Sequence, residues 1–151
     1  MNTKPNIWIV DTSIFLNVLD VPNFNQDRIQ VLKDFEERII NNDTFLLPYA
    51  AIIETGNHIA QLGGGNKYTY SIKFIEQVKA ALNGTAPWKA LRFPTFNEVD
   101  KWLPDFPSHA SKGIGYGDFS IIKEWEIQSE SFSVYSVRIW SLDSGLIGYI
   151  S

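Results

Sequence analysis

The stretch Ile7-Trp8-Ile9-Val10-Asp11-Thr12-Ser13 constrains this chain more than any other. Four consecutive apolar residues suit a strand covered on both faces, as in a parallel sheet. The run stops abruptly on a carboxylate followed by two hydroxyls. Ile14, Phe15, Val18 and Leu19 then recur at helical spacing, so a helix is expected from about Thr12 to Leu19, ended by Pro22. Open parallel sheets bind ligands just beyond the carboxyl ends of their strands. Asp11 therefore has two readings: a cation-holding carboxylate at a strand mouth, or an N-cap for the helix behind it.

Further along, a helix is expected from about Gln26 to Asn41, with Ile29, Leu32, Phe35, Ile39 and Ile40 as its apolar stripe. A short buried strand over Thr44–Leu47 closes at Pro48. The helical pattern from Tyr49 to Leu62 gathers Ile52, Ile53, Gly56, Ile59 and Ala60 on one arc and Glu54, Asn57, His58 and Gln61 on the other. That polar arc has amides, a carboxylate and an imidazole but no Lys or Arg, which suits a cleft wall as well as a solvated face. After Gly63-Gly64-Gly65, a helix from about Lys67 to Leu82 has Ile72, Ile75, Val78 and Leu82 as its core stripe. The Pro-, Gly- and aromatic-rich segment 85–117 reads as loop with at most one short helix, from about Asn97 to Leu103. Its aromatics are candidates to stack on unpaired bases.

Asp118 follows Gly113-Ile114-Gly115-Tyr116-Gly117 and opens a helix, either as its cap or on its inward side. The last strand is expected within Phe132–Leu142 and ends on Ser141-Leu142-Asp143, echoing Asp11-Thr12-Ser13. Four acids, Asp11, Glu54, Asp118 and Asp143, thus stand at element ends or on a polar helix face. Parallel, neighbouring strands would bring them to one edge. Carboxylates that close repel one another by several kcal/mol unless a cation lies between them. Mg²⁺ and Mn²⁺, which prefer carboxylate and water oxygens, are the ions expected.

Composition narrows the classes. With 151 residues, 44% hydrophobic and 20% charged, one folded domain over 1–151 is expected. The absence of cysteine excludes disulfides, zinc-thiolate sites and Cys nucleophiles. A net charge of −4 argues against a generic nucleic-acid coat but is compatible with a metal-dependent nuclease. No apolar run approaches the roughly 20 residues that cross a bilayer. The first strand begins too early to leave room for a signal peptide, so a cytoplasmic protein is expected.

The segments IVDTSIFLNVL, LLPYAAIIETG, GYGDFSIIKEW and VRIWSLDSG resemble, in order and over nearly the whole chain, the four motifs of PIN-domain ribonucleases, among them the VapC-like toxins. The resemblance implies an α/β fold: a three-layer α/β/α arrangement with a short, mostly parallel central sheet. It places the acidic quartet on Asp11, Glu54, Asp118 and Asp143, with Thr12, Ser13 and Ser141 holding carboxylates or waters. Many members carry a further acid one turn after the third; here Ile121 and Ile122 stand there, and Glu124 is the nearest substitute.

The function implied is Mg²⁺- or Mn²⁺-assisted hydrolysis of RNA phosphodiesters, with Asp11 and Asp118 as direct ligands. Lys112, Lys123, Lys73 and Arg138 are candidate phosphate contacts, and His58 a candidate proton shuttle. Implied partners are an RNA substrate, an antitoxin protein and a second copy of the chain, with no membrane. A catalytically inactive RNA- or protein-binding module of the same fold is the competing reading. A metal-dependent adhesion motif fails because Phe15 replaces its second serine. An aspartyl-phosphate phosphatase motif fails because Ser13 replaces its second aspartate.

Overall fold

The computed structural model describes residues 4–150. Strand β1 (Asn6–Val10) leads through Asp11 into helix α1 (Thr12–Val18). Helix α2 (Arg28–Ile40), strand β2 (Thr44–Leu47), helix α3 (Tyr49–Ala60) and helix α4 (Asn66–Asn83) follow. Next come strand β3 (Trp88–Ala90), helix α5 (Phe96–Trp102), a 3₁₀ turn (Leu103–Asp105) and helix α6 (Phe106–Ala110). Helix α7 (Tyr116–Ser131) and strand β4 (Ser136–Trp140) are the last helix and strand. The four strands form one parallel sheet in the order β3-β2-β1-β4.

Side-chain alternation along β1 divides the molecule into three layers. Trp8 and Val10 pack with Phe15, Val31, Phe35, Phe45, Ala51 and Trp88 in a core built from α1 to α4. Ile7 and Ile9 face the other way, onto Ile121, Ile122, Val137, Ile139 and Leu146. Both faces of β1 are therefore buried, as its unbroken apolar run requires. Ile121 and Ile122 occupy the second core at 0% and 1% exposure, where an additional carboxylate would have no place.

Several elements differ from their sequence reading. Helix α1 ends at a left-handed turn on Asp20 (φ 60°), ahead of Pro22. Arg28 donates through Nη1 to the Asn17 and Val18 carbonyls there (2.7 and 2.6 Å), a cation at the negative end of a helix. In α2 the buried residues are Val31 and Phe35, whereas Ile29 and Ile40 are exposed. Phe35 decides that rotation: it stacks on Trp88 at 5.3 Å and meets Phe45 edge-on at 4.8 Å.

Helix α4 carries two apolar stripes, and the one with aromatics faces inward. Tyr70, Phe74 and Val78 pack on the first core and Ala81 is buried, while Ile72, Ile75 and Leu82 face outward. On α3, Ala51, Thr55 and Ile59 are buried and Ile53 is half exposed. Segment 85–117 holds more structure than a loop: β3 completes the sheet edge beside β2, and α5, the 3₁₀ turn and α6 follow. Thr95 and Glu98 form a reciprocal capping box at the start of α5. Among the described residues, no helix is long and apolar enough to cross a membrane.

Candidate metal centre

The register of β1 and β4 builds the centre of the site. Val10 pairs with Trp140, so both strands end at one level and Asp11 and Ser141 emerge side by side. The Asp11 amide donates to the Trp140 carbonyl (3.0 Å), and Ser141 Oγ donates to Asp11 Oδ2 (2.7 Å). Ser13 Oγ (3.0 Å) and, more weakly, the Ser13 amide (3.5 Å) donate to the same oxygen. Asp11 therefore caps α1 and also faces the cleft. It is 3% exposed, and these donors offset the cost of burying the charge.

Glu54 arrives from the polar arc of α3. Thr12 Oγ1 donates to Glu54 Oε2 at 3.0 Å, fixing the carboxylate against α1. Its other oxygen lies against Gly117, at the start of α7; a Cβ there would overlap Oε1 and stand 3.0 Å from Cδ. Asp118 is in the first turn of α7, whose cap position belongs to Gly115, so it is free of capping duty. Asp11, Glu54 and Asp118 each offer a carboxylate oxygen within 4.8 Å of one another.

Asp143 stands at the exposed rim, its backbone fixed by an amide donation to Ser141 Oγ (2.9 Å). It is outside the 4.8 Å trio but interacts with Asp118 through charge and a hydrogen bond. Ser141 thus links the first and last acids of the quartet. Burial, followed by the charges of Asp11, Glu54 and Asp143, pushes the Asp118 carboxyl up to about 7. Crowded anions disfavour a fourth charge unless something positive enters.

The cleft around these acids has a volume of about 440 Å³ and, among the described residues, is lined by five carboxylates, counting Asp27, with no Lys or Arg. All-carboxylate donors and neighbouring hydroxyls fit hard divalent cations such as Mg²⁺ and Mn²⁺. His58 lines the cleft one turn after Glu54, packed on Phe24 at a ring separation of 4.6 Å. The basic residues read as phosphate contacts stand elsewhere. Lys123 is buried and ion-paired with Asp105 (2.7 Å) and Glu126 (3.2 Å). Lys112 lies in the exposed turn before α7, Lys73 packs over Tyr70, and Arg138 over Trp8.

Two contributors were not singled out from sequence. Asn17 is buried in α1, donating to the Ser13 carbonyl (2.8 Å) and accepting from the Asp27 amide (3.2 Å), and so ties the floor of the cleft to the start of α2. A polar residue four positions after Ser13 within an apolar helix was its only signal. Gly117 matters through a contact with Glu54 that no local pattern announces.

Glu124 does not join the acidic cluster. It lies on the far side of Glu54 in a separate cavity, 5% exposed, with neither carboxylate oxygen hydrogen-bonded. Burial raises its carboxyl to about 7.

No model of a known protein family matches this chain, and neither does any curated protein.

Proposed function

We propose that this protein is a divalent-metal-dependent endoribonuclease. One observation carries the reading: carboxylate oxygens from Asp11, Glu54 and Asp118, contributed by three separate elements, lie within 4.8 Å at the carboxyl edge of a parallel sheet. Convergence of that kind costs electrostatic energy, and it recurs where metal ions assist hydrolysis. The ordered motifs that resemble PIN-domain ribonucleases supply the substrate class.

Asp11, Glu54 and Asp118 would hold the cation, with Asp143 reaching it from the rim. A Mg²⁺ or Mn²⁺ ion bound there supplies Lewis-acid polarisation of a phosphoryl oxygen and of water. Ser141 and Ser13 hold Asp11, and Thr12 holds Glu54, so the ligands are aimed before metal arrives. With no Lys or Arg among the described residues that line the cleft, and five carboxylates there, a phosphodiester would meet net repulsion without a cation. Metal is thus required for substrate binding as well as for chemistry.

The test is cleavage of mixed RNA by wild type and Asp11→Asn, in Mn²⁺ or Mg²⁺ and then in EDTA. Cleavage by wild type alone, and with metal alone, is expected. Equal cleavage by both proteins would assign the activity to a contaminant. RNA retained but uncut would replace the enzyme with a binding module.

A further inference from the structure

Beyond the acidic cleft lies a second cavity of about 440 Å³, within the size range of small-ligand sites. Glu54 lines both it and the acidic cleft, and Gly117, which lines it, lies against Glu54, so the two hollows adjoin. Its walls are largely apolar, and the rings of Tyr49 and Phe93 pack 4.5 Å apart at its exposed side. Glu124 projects into it from α7. Both Glu124 oxygens are buried and neither has a partner, although the side chain is 95% covered. Folded proteins rarely leave such buried groups without a partner.

Arg92 is the neighbouring cation, but its guanidinium is committed to Glu98 through two bonds of 2.8 and 2.9 Å. Two adjacent unfilled acceptors call for a ligand with two parallel donors on one edge. The aromatic wall calls for a flat ring behind that edge.

We propose that this cavity receives an unpaired guanine of the RNA substrate, with Glu124 accepting the base N1–H and N2–H and the Tyr49–Phe93 pair covering its face. The identity of the ligand as a nucleobase rests on the ribonuclease reading. Guanine is the base whose pairing edge presents two neighbouring donors. Adenine and cytosine offer one donor beside an acceptor, and uracil sets one N–H between two carbonyls that would oppose the Glu124 oxygens. Reading a splayed base by its pairing edge and a stacking face is the usual solution for single-stranded RNA. A guanidinium from a protein partner also carries parallel donors. However, Arg92 lines the same cavity, so a guanidinium there would meet a like charge, whereas guanine brings the same two donors without one. The nuclease would then cut next to guanine.

The experiment titrates guanosine, uridine and agmatine into ¹⁵N-labelled wild type, Glu124→Gln and Phe93→Ala in EDTA, followed by amide shifts. Guanosine is expected to bind wild type at least tenfold more tightly than uridine, in line with the discrimination of a bidentate base contact. Glu124→Gln should abolish that preference, and Phe93→Ala, a change at an exposed ring, should weaken both nucleosides. Equal binding of guanosine and uridine, or a preference that survives Glu124→Gln, overturns the proposal. So does Glu124-dependent binding of agmatine without guanosine, which would assign the cavity to an arginine of a protein partner. Because EDTA removes metal, this titration reads the cavity alone, whereas RNA cleavage in Mn²⁺ reads the acidic centre.

Discussion

Replacing Asp118 by Asn removes one charge from the crowded centre, so the metal-free protein should become more stable. The Asp118 carboxyl stands at about 7, three units above its ordinary value of 3.8. At ~1.36 kcal/mol per unit the full cost of ionising it in the folded state is about 4 kcal/mol. Asp118 is only half-buried, and solvent screening reduces the figure to roughly 1–2 kcal/mol. Its place in the first turn of α7 works the other way, because an anion near a helix N-terminus gains about 0.3–1 kcal/mol. Repulsion wins by about 1 kcal/mol.

The sign with pH follows from the raised value. The folded state binds this proton more tightly than the unfolded chain, so the associated stability is present below about 3.8 and is lost as pH rises through 7. Urea unfolding at pH 8 in EDTA should therefore show Asp118→Asn more stable than wild type, with the advantage gone at pH 4. Saturating Mg²⁺ should reverse the order, since a ligand at a hundredfold excess over its Kd adds about 2.7 kcal/mol to the protein that binds it. An Asn variant no more stable than wild type in EDTA at pH 8 would refute the reasoning.

Gly117→Ala should leave the fold intact, or slightly firmer by helix propensity, while displacing Glu54 from Thr12. Mn²⁺ affinity is expected to fall at least tenfold with little change in the urea midpoint; unaltered affinity would show that Glu54 is not a ligand. Glu124→Gln should flatten stability against pH. Burial raises the wild-type carboxyl from 4.5 to about 7, so its stabilising contribution is present below 4.5 and is lost between there and 7. That loss is worth roughly 3 kcal/mol at ~1.36 kcal/mol per unit. The difference between wild type and variant, compared at pH 4 and pH 8, isolates it from Asp118, and parallel curves would contradict the assignment.

The legible parts of this protein were those where one residue pattern admits one solution. An unbroken apolar run ending on Asp11 and a partly alternating one ending on Ser141-Leu142-Asp143 both read as strands, and β1 and β4 are paired in parallel. Helices α2 and α4 were found but rotated. Each carries more apolar residues than one face can bury, and the choice between stripes depends on Phe35 and Phe74 reaching aromatic partners distant in sequence. Strand β3 is three residues long with Lys89 at its centre, too short for any periodicity to register. Charged residues of α7 were the hardest to read. Lys123 and Glu124 look like a solvated pair, yet both are buried, one ion-paired and the other facing a cavity. Local sequence carries no mark of that distinction, because it is set by segment 85–117 folding over the helix.

The acidic centre is tested most directly by calorimetric titration of Mn²⁺ into metal-free protein at pH 8. Saturable binding is expected, weakened at least tenfold in both Asp11→Asn and Asp118→Asn. No saturable binding by wild type, or binding indifferent to both substitutions, would contradict the convergence of these acids on a shared cation.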